Sequence, residues 1–138
     1  MINKRYRQRF ENYKKIVNQL NVHLAERKIE DFNDLEQTGL STQFQLSFEL
    51  MWKLLKDYLE YQEVEIGLIS PKNVLRVSAS SGLLEEMNVD GDILIQAHRT
   101  RNELAHIYDY ENAQQALERI KDIYILEMLK VEVYFENK

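Results

Sequence analysis

The chain has 138 residues and a formal charge of −5 at pH 7, with 44% hydrophobic and 30% charged residues. This length is enough for one domain with its own core and too short for two comfortable ones. The absence of cysteine excludes a disulfide framework and a thiolate zinc site. Since it also lacks an apolar leader and any run of eighteen apolar residues, we expect a cytoplasmic protein without a membrane span.

The first half of the chain is dominated by helical periodicity. Four glycines and one proline leave few turns and favour long helices. Over about 3–27, apolar residues recur at steps of three and four, which predicts an amphipathic first helix. The acidic segment 30–39 indicates a connector, and Ser41 or Thr42 is a candidate N-cap for a second helix over about 42–62.

The predicted second helix is apolar on two faces. Leu46, Leu50 and Leu54 follow one another at four-residue steps on one of them. A helix that is apolar on two sides is expected to be buried on two sides, so this face needs a partner. The other face carries a larger apolar set at helical spacing: Phe44, Phe48, Met51, Trp52, Leu55, Tyr58 and Leu59.

Cap signals organise the middle of the chain. The pair Ser70-Pro71 combines an N-cap with proline at the first helical position, which predicts a short third helix over about 71–81. Asp90 or Asp92 can cap a fourth helix. The core stripe of that fourth helix is predicted to consist of Ile93, Ala97, Thr100, Leu104 and Ile107.

A last helix is predicted over about 112–136, and no strand pattern of comparable strength accompanies it. Its apolar seam is Ala113, Leu117, Ile120, Tyr124, Met128, Val131 and Phe135. Five helices with short connectors predict an all-α protein, an antiparallel four-helix-type bundle with a short additional helix, in one domain over 1–138.

Polar chemistry is concentrated in residues 98–108, which hold two of the three histidines. On a helical wheel, Arg101 and Tyr108 lie beside the core stripe, while Asn102 and His106 lie on the outer side. Asn102 and His106 are also four residues apart, a spacing that lets the amide fix the imidazole tautomer.

Arg101 and His106 do not face the same way on an unbroken helix. They are about 140° apart, too far for both to grip one phosphate within one subunit. Either the helix frays near Ala105 and frees His106, or a second subunit completes the site about a two-fold axis. Because the face that carries Leu46 also needs a partner, we predict a homodimer with the two polar segments facing each other across a groove.

The residue types in this segment suit RNA cleavage. An arginine can bind a phosphate bidentately, and a histidine can move a proton to or from the 2′-hydroxyl or the leaving oxygen. Transesterification by such groups needs no metal and no cofactor. The acidic net charge repels polyanions, so RNA would have to contact local basic clusters. These are Lys4, Arg5, Arg7, Arg9, Lys14 and Lys15 in the first helix, and Arg99 with Arg101 in the fourth.

Three separated segments resemble HEPN domains of the HepT kind, long described as nucleotidyltransferase substrate-binding proteins. They are residues 48–59 (FELMWKLLKDYL), residues 70–76 with Ser-Pro followed by Val-Leu-Arg, and residues 101–108 (RNELAHIY). Together they extend the resemblance over most of the chain. Several segments that agree in order are far more specific than a single Arg-x4-His spacing.

The family pattern is Arg, a polar residue, three more positions, His, any residue and Tyr. Arg101, Asn102, His106 and Tyr108 occupy those positions here. The resemblance implies a bundle dimer with a composite cleft and a metal-independent endoribonuclease toxin. It also implies a minimal nucleotidyltransferase antitoxin that transfers AMP from ATP to Tyr108. The added phosphodiester would compete with the substrate phosphate for Arg101.

Two other functions stay open at this point. The chain is alternatively a non-catalytic subunit that presents a nucleotide or its own tyrosine to a nucleotidyltransferase, or a plain helical interaction module. The acidic charge favours both over the nuclease. The segment Asp90-Gly91-Asp92 is interpreted as a turn and cap, because it lacks the other ligands of a calcium loop. The Phe44/Phe48/Trp52 ladder is interpreted as core.

Overall fold

The computed structural model describes residues 5–106 and 110–138, without the side chains of residues 110 and 111. The chain begins with helix α1 (Arg5–Glu26), a 3₁₀ turn (Ile29–Asp31) and helix α2 (Asp34–Tyr61). Arg9 contacts Asp57 near one end of this pair, and His23 contacts Gln43 near the other. The two longest helices therefore pack antiparallel.

The rest of the described chain is also helical. It comprises α3 (Pro71–Ser80), α4 (Leu83–Glu86), α5 (Gly91–Leu104), α6 (Tyr110–Arg119), a π-helical segment (Ile120–Tyr124) and α7 (Ile125–Glu136). Helix α7 returns along α1, where the Tyr13 hydroxyl donates to the carbonyl of Met128 at 2.5 Å. The predicted all-α bundle is confirmed.

Helix α2 begins earlier than predicted, at Asp34. The side chain of Asn33 accepts from the backbone N–H of Glu36 at 2.8 Å, and the Glu36 carboxylate accepts from that of Asn33 at 2.9 Å. This reciprocal capping box satisfies two N–H groups that would otherwise lack partners at the helix start. The predicted connector over 30–39 is therefore confirmed only up to the Asn33 cap and wrong beyond it, and the predicted cap within 41–42 is wrong.

The other cap predictions are confirmed. The Ser70 hydroxyl accepts from the backbone N–H of Asn73 at 3.2 Å, with proline at the first helical position. The Asp90 carboxylate accepts from the backbone N–H of Asp92 at 2.9 Å, which caps α5. Gly82 adopts φ +87°, a left-handed conformation that suits glycine, and it separates α3 from the short turn of α4.

The core follows the predicted stripes with two shifts. In α5, Ala97, Thr100 and Leu104 are buried as predicted, but Leu94 is fully buried in place of Ile93, which is half-buried. Ile107 lies outside the described residues. The final helical region begins at 110, two residues before its predicted start. Six residues of its predicted seam are buried: Leu117, Ile120, Tyr124, Met128, Val131 and Phe135.

The second apolar face of α2 passes from solvent into the core. Leu46 is 49% exposed, Leu50 is half-buried and Leu54 is fully buried. The aromatic face opposite, including Phe44 and Phe48, is buried as predicted. An exposed leucine on the longest helix leaves an apolar surface uncovered within the described chain.

Candidate functional site

An ion pair between α2 and α5 forms the centre of the candidate site. Nη2 of Arg101 lies 3.0 Å from Oε2 of Glu49, and each side chain is 30% exposed. The indole N–H of Trp52 donates to the same Oε2 at 2.9 Å. Nζ of Lys53 lies 3.2 Å from Oε1. One carboxylate thus receives donors from three side chains.

The charge of Glu49 is fixed by these donors. Partial burial acts to raise the pKa of Glu49, but hydrogen bonds from Trp52 and Lys53 and the charges of Lys53 and Arg101 outweigh it, so the pKa is lowered. The carboxylate is therefore ionised near neutral pH. Nε of Arg101 is buried and has no hydrogen-bond partner among the described residues. An anion that binds Arg101 would have to share the guanidinium with Glu49.

Asn102 contacts a histidine other than the predicted one. Its amide Nδ2 lies 3.5 Å from Nε2 of His98, one turn earlier in α5. Among the described residues, Asn102 makes no hydrogen bond with His106. The ring of His98 is stacked on the buried ring of Phe48, with centroids 5.7 Å apart and an interplanar angle of 23°. The sequence assigned no role to His98, although its position one turn before Asn102 was the available signal.

His106 lies beyond the end of α5. The helix ends at Leu104, and the backbone N–H of His106 donates to the carbonyl of Glu103 at 3.0 Å to close the last turn. The side chain is exposed. The sequence left two explanations for the wide angle between Arg101 and His106. The first requires the helix to end near Ala105, and it does end before His106. Completion of the site by a second subunit stays a prediction.

Tyr108, the predicted site of modification, lies outside the described residues. Its relation to Arg101 therefore stays a prediction from the sequence.

A buried hydrogen bond joins α5 to the π-helical segment. The hydroxyls of Thr100 and Tyr124 lie 3.0 Å apart, and the ring of Tyr124 stacks on Phe44. Tyr124 belongs to the π-helical segment, a type of local distortion that is frequent near functional sites. This contact fixes the residue immediately before Arg101.

Three of the basic residues of the first helix are engaged within the molecule. Arg9 pairs with the buried carboxylate of Asp57 at 2.9 Å, and Lys14 pairs with Glu136 at 2.6 Å. Arg7 donates to the carbonyl of Lys138 at 2.9 Å. The predicted basic cluster on α1 is thus partly neutralised by carboxylates from distant parts of the chain. The basic groups beside the candidate site are Lys53 on α2, Lys72 on α3 and Arg101 on α5.

The comparisons with known proteins cover nearly all of these elements. The model of the family described as nucleotidyltransferase substrate binding protein like matches residues 8–136. The chain belongs to this family. The match includes α2 and α5, which carry Glu49, His98 and Arg101, and it extends through His106.

This family member is also similar to a solved structure. A protein from Thermus thermophilus, known from its crystal structure, is 29% identical, with a TM-score of 0.71. The alignment covers 88% of this chain and 97% of the other. None of the curated proteins matches the sequence. Within the residues described, no helix is both long and apolar enough to cross a membrane.

Proposed function

We propose that this chain is the substrate-binding subunit of a nucleotidyltransferase. The observation that carries the proposal is the family match over residues 8–136, since the family bears that description. The geometry of the site supports it as well. Asn102 and His106 are exposed at the end of α5, where a second protein can reach them. Arg101 is the group that would bind a nucleotide phosphate there.

Co-expression with a minimal nucleotidyltransferase tests the subunit role. The two proteins should elute together in size-exclusion chromatography at a fixed stoichiometry. A variant with Arg101→Ala should still form the complex but bind ATP or AMP more weakly, if Arg101 holds the phosphate. Separate elution at micromolar concentration of both proteins would contradict the proposal.

A second candidate is a metal-independent endoribonuclease, the toxin of a toxin–antitoxin pair. Two features favour it: a guanidinium beside an exposed amide, and an exposed imidazole released by the end of the helix. In this reaction the 2′-oxygen attacks the phosphorus and the bond to the 5′-oxygen breaks. His106 would take the proton from the 2′-hydroxyl or give one to the leaving 5′-oxygen, with solvent water making the other transfer, and Arg101 would offset the charge on the phosphoryl oxygens.

The second candidate function, RNA cleavage, includes a homodimer whose two subunits together form the active cleft. Leu46, which is exposed, and Leu50, which is half-buried, form an apolar strip on α2 beside Glu49 and hence near Arg101. A two-fold axis along this strip would bring the two polar segments together. The partner nucleotidyltransferase would inactivate the nuclease by transferring AMP from ATP to Tyr108. The new phosphodiester would bind Arg101 in place of the substrate phosphate.

Incubation of the unmodified protein with single-stranded RNA in the presence of a chelator tests the nuclease. Cleavage should leave a 2′,3′-cyclic phosphate on one fragment and a 5′-hydroxyl on the other. Intact RNA after incubation with the dimeric protein would contradict the nuclease while leaving the subunit role in place.

A further inference from the structure

Four side chains form a continuous series of polar contacts across α5 and α2. Nε2 of His98 lies 3.5 Å from the amide nitrogen of Asn102. The carbonyl oxygen of Asn102 accepts from Nη1 of Arg101 at 3.4 Å, and Nη2 of Arg101 donates to Glu49 at 3.0 Å. His98 is thus the far end of a series that includes the candidate phosphate-binding arginine.

The directions of these contacts determine the form of His98. Because Arg101 has donors and no acceptor, the Asn102 oxygen must face Arg101, and the amide N–H groups then face His98. Nε2 of His98 can accept from them only with a free lone pair. The imidazole must therefore be uncharged, with its proton on Nδ1.

We infer that His98 is a positioning residue, whose uncharged imidazole accepts from Asn102 and thereby holds that amide and the Arg101 guanidinium in place for an anionic phosphate. The inference deepens the proposed function and rests on it, since it takes Arg101 as the phosphate-binding group.

The surroundings of His98 favour the uncharged form. Burial comes first among the causes that lower the pKa of His98, followed by the positive charges of Arg101 and of Lys72 on α3. Glu49 on α2 is occupied by Arg101, Trp52 and Lys53. On the α6 side, Arg119 pairs with Glu103 at 3.4 Å. Among the described residues, no carboxylate acts to raise the pKa of His98 and so to favour its charged form.

Acid should therefore disconnect the series. Below its lowered pKa, His98 becomes a donor, loses the contact with the Asn102 amide and adds a third positive charge beside Arg101 and Lys72. A merely electrostatic role would then improve phosphate binding at acidic pH. A positioning role predicts the opposite, because Arg101 loses its contact with Asn102.

Nitrogen-15 spectra of the imidazoles in the full chain test the first step. At pH 7.5, His98 should show a protonated Nδ1 and an unprotonated Nε2. A charged ring, or a proton on Nε2, would overturn the inference.

Two substitutions test the second step by binding of AMP and of a short single-stranded RNA. His98→Gln keeps an acceptor that does not titrate, so it should bind within about threefold of the unmodified chain at pH 7.5 and lose less affinity at pH 5.5. His98→Leu keeps the packing on Phe48 without an acceptor, so it should bind roughly 5- to 10-fold more weakly. His23→Gln is the matched control, because His23 lies on α1 and contacts Gln43, which is not a member of the series.

The outcomes separate the two levels of the argument. Thermal melting should first show that His98→Leu and His98→Gln are folded. If His98→Leu then binds the probes as tightly as the unmodified chain does, the role of His98 alone is overturned. If neither probe binds the unmodified chain more tightly than it binds Arg101→Ala, the phosphate role of Arg101 in the proposed function fails, and the positioning role fails with it.

Discussion

Arg101 and Glu49 are 52 residues apart in the sequence, yet Nη2 of one lies 3.0 Å from Oε2 of the other. The pair joins the last turn of α5 to the middle of α2. Because Glu49 is ionised near neutral pH, it orients the guanidinium and also competes with any phosphate for it. The proposed binding of a phosphate to Arg101 would therefore exchange one anion for another.

For the second candidate function, RNA cleavage, replacing Arg101 by alanine should reduce the rate by roughly 100- to 1,000-fold, the usual effect of removing a group that stabilises developing negative charge. The rate should be measured under single-turnover conditions in a chelator. Arg99→Ala is the matched control, since Arg99 is exposed on the same helix and should keep its rate within about twofold. Equal losses in both variants would point to general attraction of RNA instead.

Replacing His106 by alanine should lower the cleavage rate by about 100- to 10,000-fold, as expected for a group that transfers a proton in the transition state. Binding of RNA should change little. His23→Ala is the control, because His23 lies on α1 and contacts Gln43 of α2. A His106→Ala variant with the unmodified cleavage rate would remove His106 from the reaction.

Tyr108 should carry the modification made by the partner enzyme. After co-expression with the nucleotidyltransferase and ATP, the chain should gain the mass of one AMP group, and Tyr108→Phe should abolish the gain. Tyr110→Phe, two residues further on, should leave it intact. Mass spectrometry of peptides locates the group, and an AMP group on any other residue would refute this assignment.

Leu46→Glu should split the predicted homodimer, because it places a charge on the exposed apolar strip of α2. A central interface residue contributes about 2 kcal/mol, so the dissociation constant should rise roughly 30-fold. Analytical ultracentrifugation over a concentration series measures it. Val133→Glu changes a comparably exposed apolar residue on α7 and should leave the dimer unchanged. If Val133→Glu dissociates the dimer and Leu46→Glu does not, the interface lies on α7 instead.

Tyr124→Phe should lower the free energy of unfolding by about 1 to 2 kcal/mol, because it leaves the buried Thr100 hydroxyl without its partner. Urea denaturation at pH 7 measures the change. Thr100→Val should have a similar effect, and the double variant should lose less than the sum of the two. Strict additivity would mean that the two hydroxyls do not interact.

Local chemistry along the chain was enough to predict several elements of the fold. Caps at Ser70 and Asp90 and apolar repeats of three and four residues depend on neighbours within one turn or two, so α1, α3, α5 and the all-α class were predictable. The start of α2 was also local, in the Asn33 capping box, but the acidic segment after it favoured a connector. The residue types of the 101–106 segment, and hence its candidate chemistry, were predictable in the same way.

Which side chains meet was settled by the packing of the helices. Periodicity gives the buried face of each helix but not the face of the helix that covers it, so no pattern could pair Glu49 with Arg101 or stack His98 on Phe48. The basic residues of α1 looked free for the same reason, although Arg9 is held by Asp57 on α2. Such pairings depend on contacts between residues far apart in the chain, and these exist only once the bundle has formed.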